Sequence, residues 1–197
     1  MGRPLQFDKQ EALKRSTELF IQKGYSATSL SELVETIEIV KPSFYNAFGS
    51  KEGLLLECLN VYSQKALESF REVLYKDANL ANSIRSLFSF VVDMNKSRRK
   101  NPGCLIVSCA IESDNPLVKE VLQRHGKELH KLITDRLNQG LENEKISISV
   151  DTKALASSIG IFLQGLSLSY KQSNKIASLE ASVKTMEALT LALLKVL

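Results

Sequence analysis

Residues 29–51 read SLSELVETIEIVKPSFYNAFGSK. Leu30, Leu33, Val34 and Ile37 fall at i, i+3, i+4 and i+7, the spacing of one buried stripe on a helix. Ser29 followed three residues later by Glu32 is a capping box, in which each residue satisfies a backbone N–H that the first turn leaves open. After a break at Glu38-Ile39-Val40, Phe44 and Phe48 stand at i, i+4, so a second, very short helix also has an apolar back. Its other face carries Ser43, Asn46 and Ala47, with Lys41 at its start. Two short helices joined by a tight turn, the second exposing small and hydrogen-bonding side chains, suit insertion into the major groove of DNA.

Upstream, Asp8 with Glu11 makes a second capping box. The helix it opens is expected to bury Ala12, Leu13, Ser16, Leu19 and Phe20 and to stop at Gly24, a usual C-terminal residue. These three helices form a headpiece ending near Phe48. Ahead of them Gly2-Arg3-Pro4 reads as an arm whose Arg3 reaches into a minor groove, or else as a plain terminus.

KPSFYNAFGSKEGLL resembles the end of the helix-turn-helix in TetR-family transcriptional regulators, where a Tyr-x-x-Phe pair precedes a Lys-Glu-x-Leu run. Tyr45, Phe48, Lys51, Glu52 and Leu54 match that pattern, and Ala12, Leu19, Phe20, Gly24, Tyr25, Thr28, Leu33 and Ile37 match the family's first two helices. Two positions depart from it. Glu38 stands where the turn usually has Gly or another small residue, and Val40 where it has Ser or a similar cap. A non-Gly residue can occupy such a turn at a backbone cost, and Val cannot cap a helix with its side chain.

Of the 197 residues, 44% are hydrophobic and 24% charged, which is ordinary for a globular chain. Net charge is +4, yet residues 1–51 hold seven Lys/Arg against six Asp/Glu. Bulk charge is therefore poor evidence for DNA binding, and the placement of single cations must carry that argument. No run reaches the length of a membrane span and the N-terminus lacks a signal-peptide core. With three cysteines, Cys58, Cys104 and Cys109, this points to a reducing cytoplasm rather than a disulfide framework.

Beyond residue 50 the apolar spacing is helical throughout, and an all-α protein of about nine helices is expected. Ser50 caps a long helix to about Tyr75, with Leu55, Cys58, Leu59, Tyr62, Ala66, Phe70 and Leu74 buried. Asn79 to Arg99 is amphipathic and ends in a basic loop. Cys104 to Ile111 reads as a short buried helix, and Asn115-Pro116 opens one running to about Leu141. ISISV at 146–150 alternates like a strand but has nothing to pair with, so a loop is expected. The last two helices span about 151–173 and 178–196. The first of these is apolar on more than one side, which requires cover on two faces; a four-helix interface between two copies of the chain is the natural reading. The division expected is 1–50 for DNA binding and 51–197 for ligand binding and dimerisation.

The resemblance implies a homodimeric repressor on a palindromic double-stranded operator, released by a small-molecule inducer, with no enzymatic activity, metal or cofactor. It assigns DNA contacts to Lys41, Pro42, Ser43, Tyr45 and Asn46. Asn46 is the residue suited to reading a base edge, because its amide donates and accepts together. Thr28, Tyr45 and Lys51 would fix register on phosphates, and Ser29 is counted among the DNA contacts. Candidate inducer contacts are Phe70, Phe88, Val92, Cys104, Ser108, Ile111, His125, Phe162 and Tyr170, each also readable as plain core. PGCLIVSCAIES is similar to a Gly-Cys-Leu-Ile/Leu-Val segment in a TetR subgroup that includes electrophile-sensing repressors of the N-ethylmaleimide type. There the cysteine matching Cys104 is the sensor, and Arg98, Arg99 and Lys100 would favour its thiolate. The rival classes are an enzyme and a helical protein-interaction module. Two His, no Cys/His metal spacing and no Gly-rich phosphate loop leave the enzyme without machinery.

Overall fold

The computed structural model describes residues 7–97, 103–146, 148, 150–173 and 175–195. Among them are nine helices: α1 Lys9–Lys23, α2 Leu30–Thr36, α3 Lys41–Phe48, α4 Lys51–Tyr75, α5 Leu80–Ser97, α6 Leu105–Glu112, α7 Pro116–Asn143, α8 Thr152–Ser173 and α9 Ile176–Leu193. The all-α expectation holds. Ile148 and Val150 of the alternating segment lie in no strand, and Ser147 and Ser149 are outside the described residues.

Two compact units divide the chain. The first comprises Met1–Gln64 and Cys104–Leu122, the second Lys65–Gly103 and Gln123–Leu197. This is not the division expected at residue 50. The headpiece helices share one apolar core with the start of α4 and with α6, through Phe20, Leu33, Phe44, Leu54, Leu55, Cys58, Leu59, Leu105 and Cys109. Three helices of this size enclose only a marginal core by themselves, and the extra elements add cover.

Local signals explain the helix ends of the first unit. Asp8 caps α1 by accepting from the Gln10 and Glu11 N–H groups. The expected reciprocal box is absent, because Glu11 is turned to Arg15 and Lys14 instead. Leu19 is half-buried, and Ile21 takes the core position expected of it. Ser29 and Glu32 form the full capping box of α2. Val40 begins α3 without any side-chain cap, and Pro42 in the first turn needs no donor there.

In the second unit α5 packs along α9, tied at its rim by Lys96–Glu180 at 2.6 Å and Arg85–Glu187 at 3.9 Å. The core includes Leu74, Leu80, Ile84, Leu87, Phe88, Ile133, Leu137, Ile159 and Tyr170. One face of α7 and the turn residue just past its end close the α4–α5 turn with three residues spaced at i, i+4 and i+8. Arg136 donates to the carbonyls of Leu74, Asp77 and Ala78. Gly140 leaves room where a Cβ would lie 2.8 Å from Leu80. Glu144 accepts from the Leu80 N–H at 2.5 Å. No described helix is long and apolar enough to cross a membrane.

Candidate nucleic-acid interface

Phe44 and Phe48 bury the back of α3, their rings 5.4 Å apart. That choice of face leaves Lys41, Pro42, Tyr45 and Asn46 exposed and Ser43 half-exposed. The Tyr45 ring meets Phe44 edge-on at 5.8 Å while half of the residue stays open to solvent. The helix therefore presents a row of one cation, one amide and one phenol on its outer side.

The turn before α3 departs from the family pattern and is held by a compensating contact. Glu38 adopts φ 58°, a left-handed conformation that favours glycine. Arg15 of α1 donates to the Glu38 carboxylate at 2.8 Å and to the Thr36 carbonyl at 3.3 Å. One guanidinium thus satisfies an open carbonyl at the end of α2 and fastens the side chain of the strained residue. Nothing in the spacing of the sequence announces Arg15.

Charge pairing sorts the cations. Lys9 pairs with Glu57, Lys14 with Glu11, Arg15 with Glu11 and Glu38, and Lys23 with Glu32. Hydrogen bonds from Lys23 and the Ser29 cap hold the Glu32 carboxyl down at about 2. Among the described residues of the headpiece, Lys41 and Lys51 hold no ion pair. Lys51 instead rests 4.3 Å from the centre of the Tyr25 ring. Burial pulls its ammonium below the ordinary value, partly offset by the charges of Glu112 and Glu32.

One expected DNA contact is corrected. Thr28 is buried, its hydroxyl donating to the Gly24 carbonyl at 2.6 Å; it closes the α1–α2 connection and offers no side chain to a phosphate. The Ser29 hydroxyl is engaged with Glu32 inside the capping box. Arg3 lies outside the described residues.

The nine candidate inducer residues do not fall in one compact unit. Cys104, Ser108 and Ile111 belong to the first, and Phe70, Phe88, Val92, His125, Phe162 and Tyr170 to the second. Ile111 is 64% exposed and lines no interior. His125 is buried on the α7 stripe. Phe88 and Phe162 pack edge-on at 6.0 Å. Tyr170 is fully buried, and its hydroxyl has no hydrogen-bond partner among the described residues. The cysteines differ: burial pushes the Cys58 thiol up to about 12, Cys109 is buried, and Cys104 is half-exposed. Tyr62 donates to the Cys104 sulfur at 3.6 Å. Arg98, Arg99 and Lys100, expected beside that thiol, lie outside the described residues.

A helical headpiece with a solvent-facing second helix defines a helix-turn-helix DNA-binding protein. Two family models match the chain, one for bacterial regulatory proteins of the TetR family over residues 12–58 and one for a tetracyclin repressor-like C-terminal domain over 81–186. The chain belongs to the TetR family and is a DNA-binding transcriptional regulator, not an enzyme. It is similar to the Escherichia coli K12 repressor ComR, 27% identical over 182 residues covering 91% of this chain and 85% of that protein. It is likewise 27% identical to NemR of the same strain, over 91% of this chain and 92% of NemR. A cysteine mutant of the TetR-family regulator CifR, solved in complex with 26-base-pair operator DNA, superimposes with a TM-score of 0.83 at 31% identity, over 95% of this chain and 98% of CifR.

Proposed function

We propose that the protein is a homodimeric repressor that grips a near-palindromic operator with two copies of α3 and leaves it when a small molecule binds the second unit. One observation carries the DNA side of this reading. The two headpiece cations that hold no ion pair among the described residues, Lys41 and Lys51, flank the exposed row Pro42, Tyr45 and Asn46. Pairing the other cations internally spends them on the fold. The operator-bound CifR structure and the repressors among the relatives support the same assignment. Two α3 helices on one face of a duplex must lie about 34–36 Å apart, or a multiple of that, which makes the operator symmetric.

The partner surface is supported by α8 and α9. Ile161, Leu189 and Leu193 are exposed, and Ala181, Thr185, Ala188 and Ala192 continue an outward α9 stripe of small side chains. Such a stripe lets a second pair of helices approach closely. For the inducer, the unmatched Tyr170 hydroxyl within an apolar cluster suits a largely apolar molecule carrying one hydrogen-bonding group.

The test is selection of duplexes from a random pool by the purified protein, repeated with substitutions. Asn46→Ala is expected to relax base choice at one position per half-site, at about 1–3 kcal/mol of lost discrimination. Lys51→Ala is expected to weaken every duplex about equally and to lower the salt slope by about one per headpiece. Equal losses on selected and scrambled duplexes for both variants would contradict these roles.

A second reading, a thiol sensor on the same scaffold, is favoured by one contact. Cys104 is the half-exposed cysteine and already has the Tyr62 hydroxyl in position as a donor to any charge that develops on its sulfur. N-ethylmaleimide added to the folded protein should then label Cys104 first and release the operator. Labelling that appears only after unfolding, with operator binding unchanged, overturns the sensor.

A further inference from the structure

Residues 24–26, between α1 and α2, are held from two other helices. Gly24 has φ 88°, and a Cβ there would lie 2.8 Å from both carboxylate oxygens of Glu112, at the end of α6. Tyr25 packs its ring against Phe20 at 5.8 Å and under the Lys51 ammonium at 4.3 Å. Ser26 donates its backbone N–H to Glu112 at 3.3 Å, a bond between residues 86 positions apart. A second tie lies beside it: Asn115, which caps α7, donates to Glu52 in the first turn of α4. All of these residues belong to the first compact unit.

The segment they hold leads directly into the recognition machinery. Thr28 folds back onto Gly24, Ser29 caps α2, and α3 follows after one turn. Displacing residues 24–26 therefore displaces the start of α2 and the DNA-reading helix behind it. Glu112 reaches this segment from outside the helix-turn-helix through the Ser26 N–H, and its charge is also felt by the Lys51 ammonium. We propose that Glu112 is a positioning residue for operator recognition, its carboxylate fixing the α1–α2 connection so that α3 is presented in one orientation. The φ of 88° at Gly24 favours glycine by itself, and a side chain there would also have to displace the carboxylate.

A residue that orients a reading head acts on specific binding, since two heads must fit one register. It leaves sequence-independent phosphate attraction alone. The inference rests on operator binding, and the experiment separates the two. A duplex enriched by the wild-type chain from a random pool, and a scrambled duplex of equal length, are titrated at several salt concentrations with the wild type, Glu112→Ala and Glu112→Gln. Glu112→Ala is expected to weaken the enriched duplex by about fivefold to tenfold, the scale of one lost charge-assisted hydrogen bond. The scrambled duplex should stay within about twofold, with the salt slope unaltered because no phosphate contact is lost. Glu112→Gln keeps an acceptor for the Ser26 N–H and should restore most of the difference. Amide exchange at Ser26 should quicken in Glu112→Ala and not in Glu112→Gln.

A wild-type chain that enriches no duplex overturns operator binding itself. A wild type that does so, with Glu112→Ala equal to it, overturns the positioning role alone. So does tighter binding of both duplexes by both variants, which would make Glu112 a bare repelling charge. Parallel loss of thermal stability and of affinity for both duplexes would make it a structural residue only.

Discussion

Ile161→Glu is expected to leave each chain folded and to lower operator affinity by about a hundredfold or more. Ile161 is 72% exposed, and a surface substitution of this kind changes the stability of a single chain by about 0.5 kcal/mol at most. In the proposed dimer the same position faces a partner helix. Two carboxylates would then be buried near one symmetry axis without cations, an arrangement that costs several kcal/mol. A separated headpiece binds one half-site only, and the second contact is no longer made at the high effective concentration that linkage provides. Light scattering should show the variant at monomer mass, with helical circular dichroism retained. Leu189→Glu, on the neighbouring α9, should behave alike. Dimers that survive both substitutions, or monomers that bind the operator at wild-type strength, would place the partner surface elsewhere.

Helix positions and the inner face of α3 were legible because they depend on spacing. Phe44 and Phe48 at i, i+4 decide which side of α3 is buried, and Asn46 is then left facing out. Glu38 was legible as an unusual turn residue, and its positive φ follows; that Arg15 offsets the strain depends on how α1 lies on the turn, which no local pattern records. Thr28 was misread for a related reason. Its burial comes from the connection folding back on Gly24, and a lone Thr before a capping box looks the same whether it faces water or core. Ile111 failed because CLIVSCAI is apolar throughout and gives no period. The structure buries Leu105, Ile106, Ser108 and Cys109 and turns Ala110 and Ile111 outward. Glu112 stands at the polar end of that helix, and no local spacing says that its carboxylate reaches the Ser26 N–H. Arg136 was also readable in principle. It falls on the buried stripe of Leu129, Leu132, Ile133, Leu137 and Gly140, where a cation requires an explanation.

That explanation yields the largest stability effect expected of any substitution here. Arg136→Met should lower unfolding free energy by about 3 kcal/mol, a large share of the roughly 5–15 kcal/mol of a typical domain. Two effects oppose one another. Methionine removes a buried charge and so recovers the cost of stripping water from a guanidinium, which for some buried ion pairs makes an apolar replacement neutral or better. Here the partners are not a removable carboxylate but the backbone carbonyls of Leu74, Asp77 and Ala78, bonded at 2.9, 3.2 and 2.9 Å. They stay in place after the substitution. Ser83 also loses the donors that reach its hydroxyl at 3.1 and 2.7 Å. Leu74 and Ser83 are fully buried and Arg136 only 2% exposed, so water reaches the Leu74 carbonyl and the Ser83 hydroxyl poorly, and each of these left unmet costs about 1–3 kcal/mol. Half-buried Asp77 and exposed Ala78, by contrast, can turn their carbonyls to water. The stranded Leu74 carbonyl and Ser83 hydroxyl should therefore win. Arg136→Lys keeps the charge but offers a point donor in place of a planar fork, and should recover only part of the loss. Urea denaturation followed by circular dichroism decides between the outcomes. A midpoint for Arg136→Met within error of the wild type would mean that water or a shift of the α4–α5 turn satisfies the carbonyls, and that the fork is not what closes it.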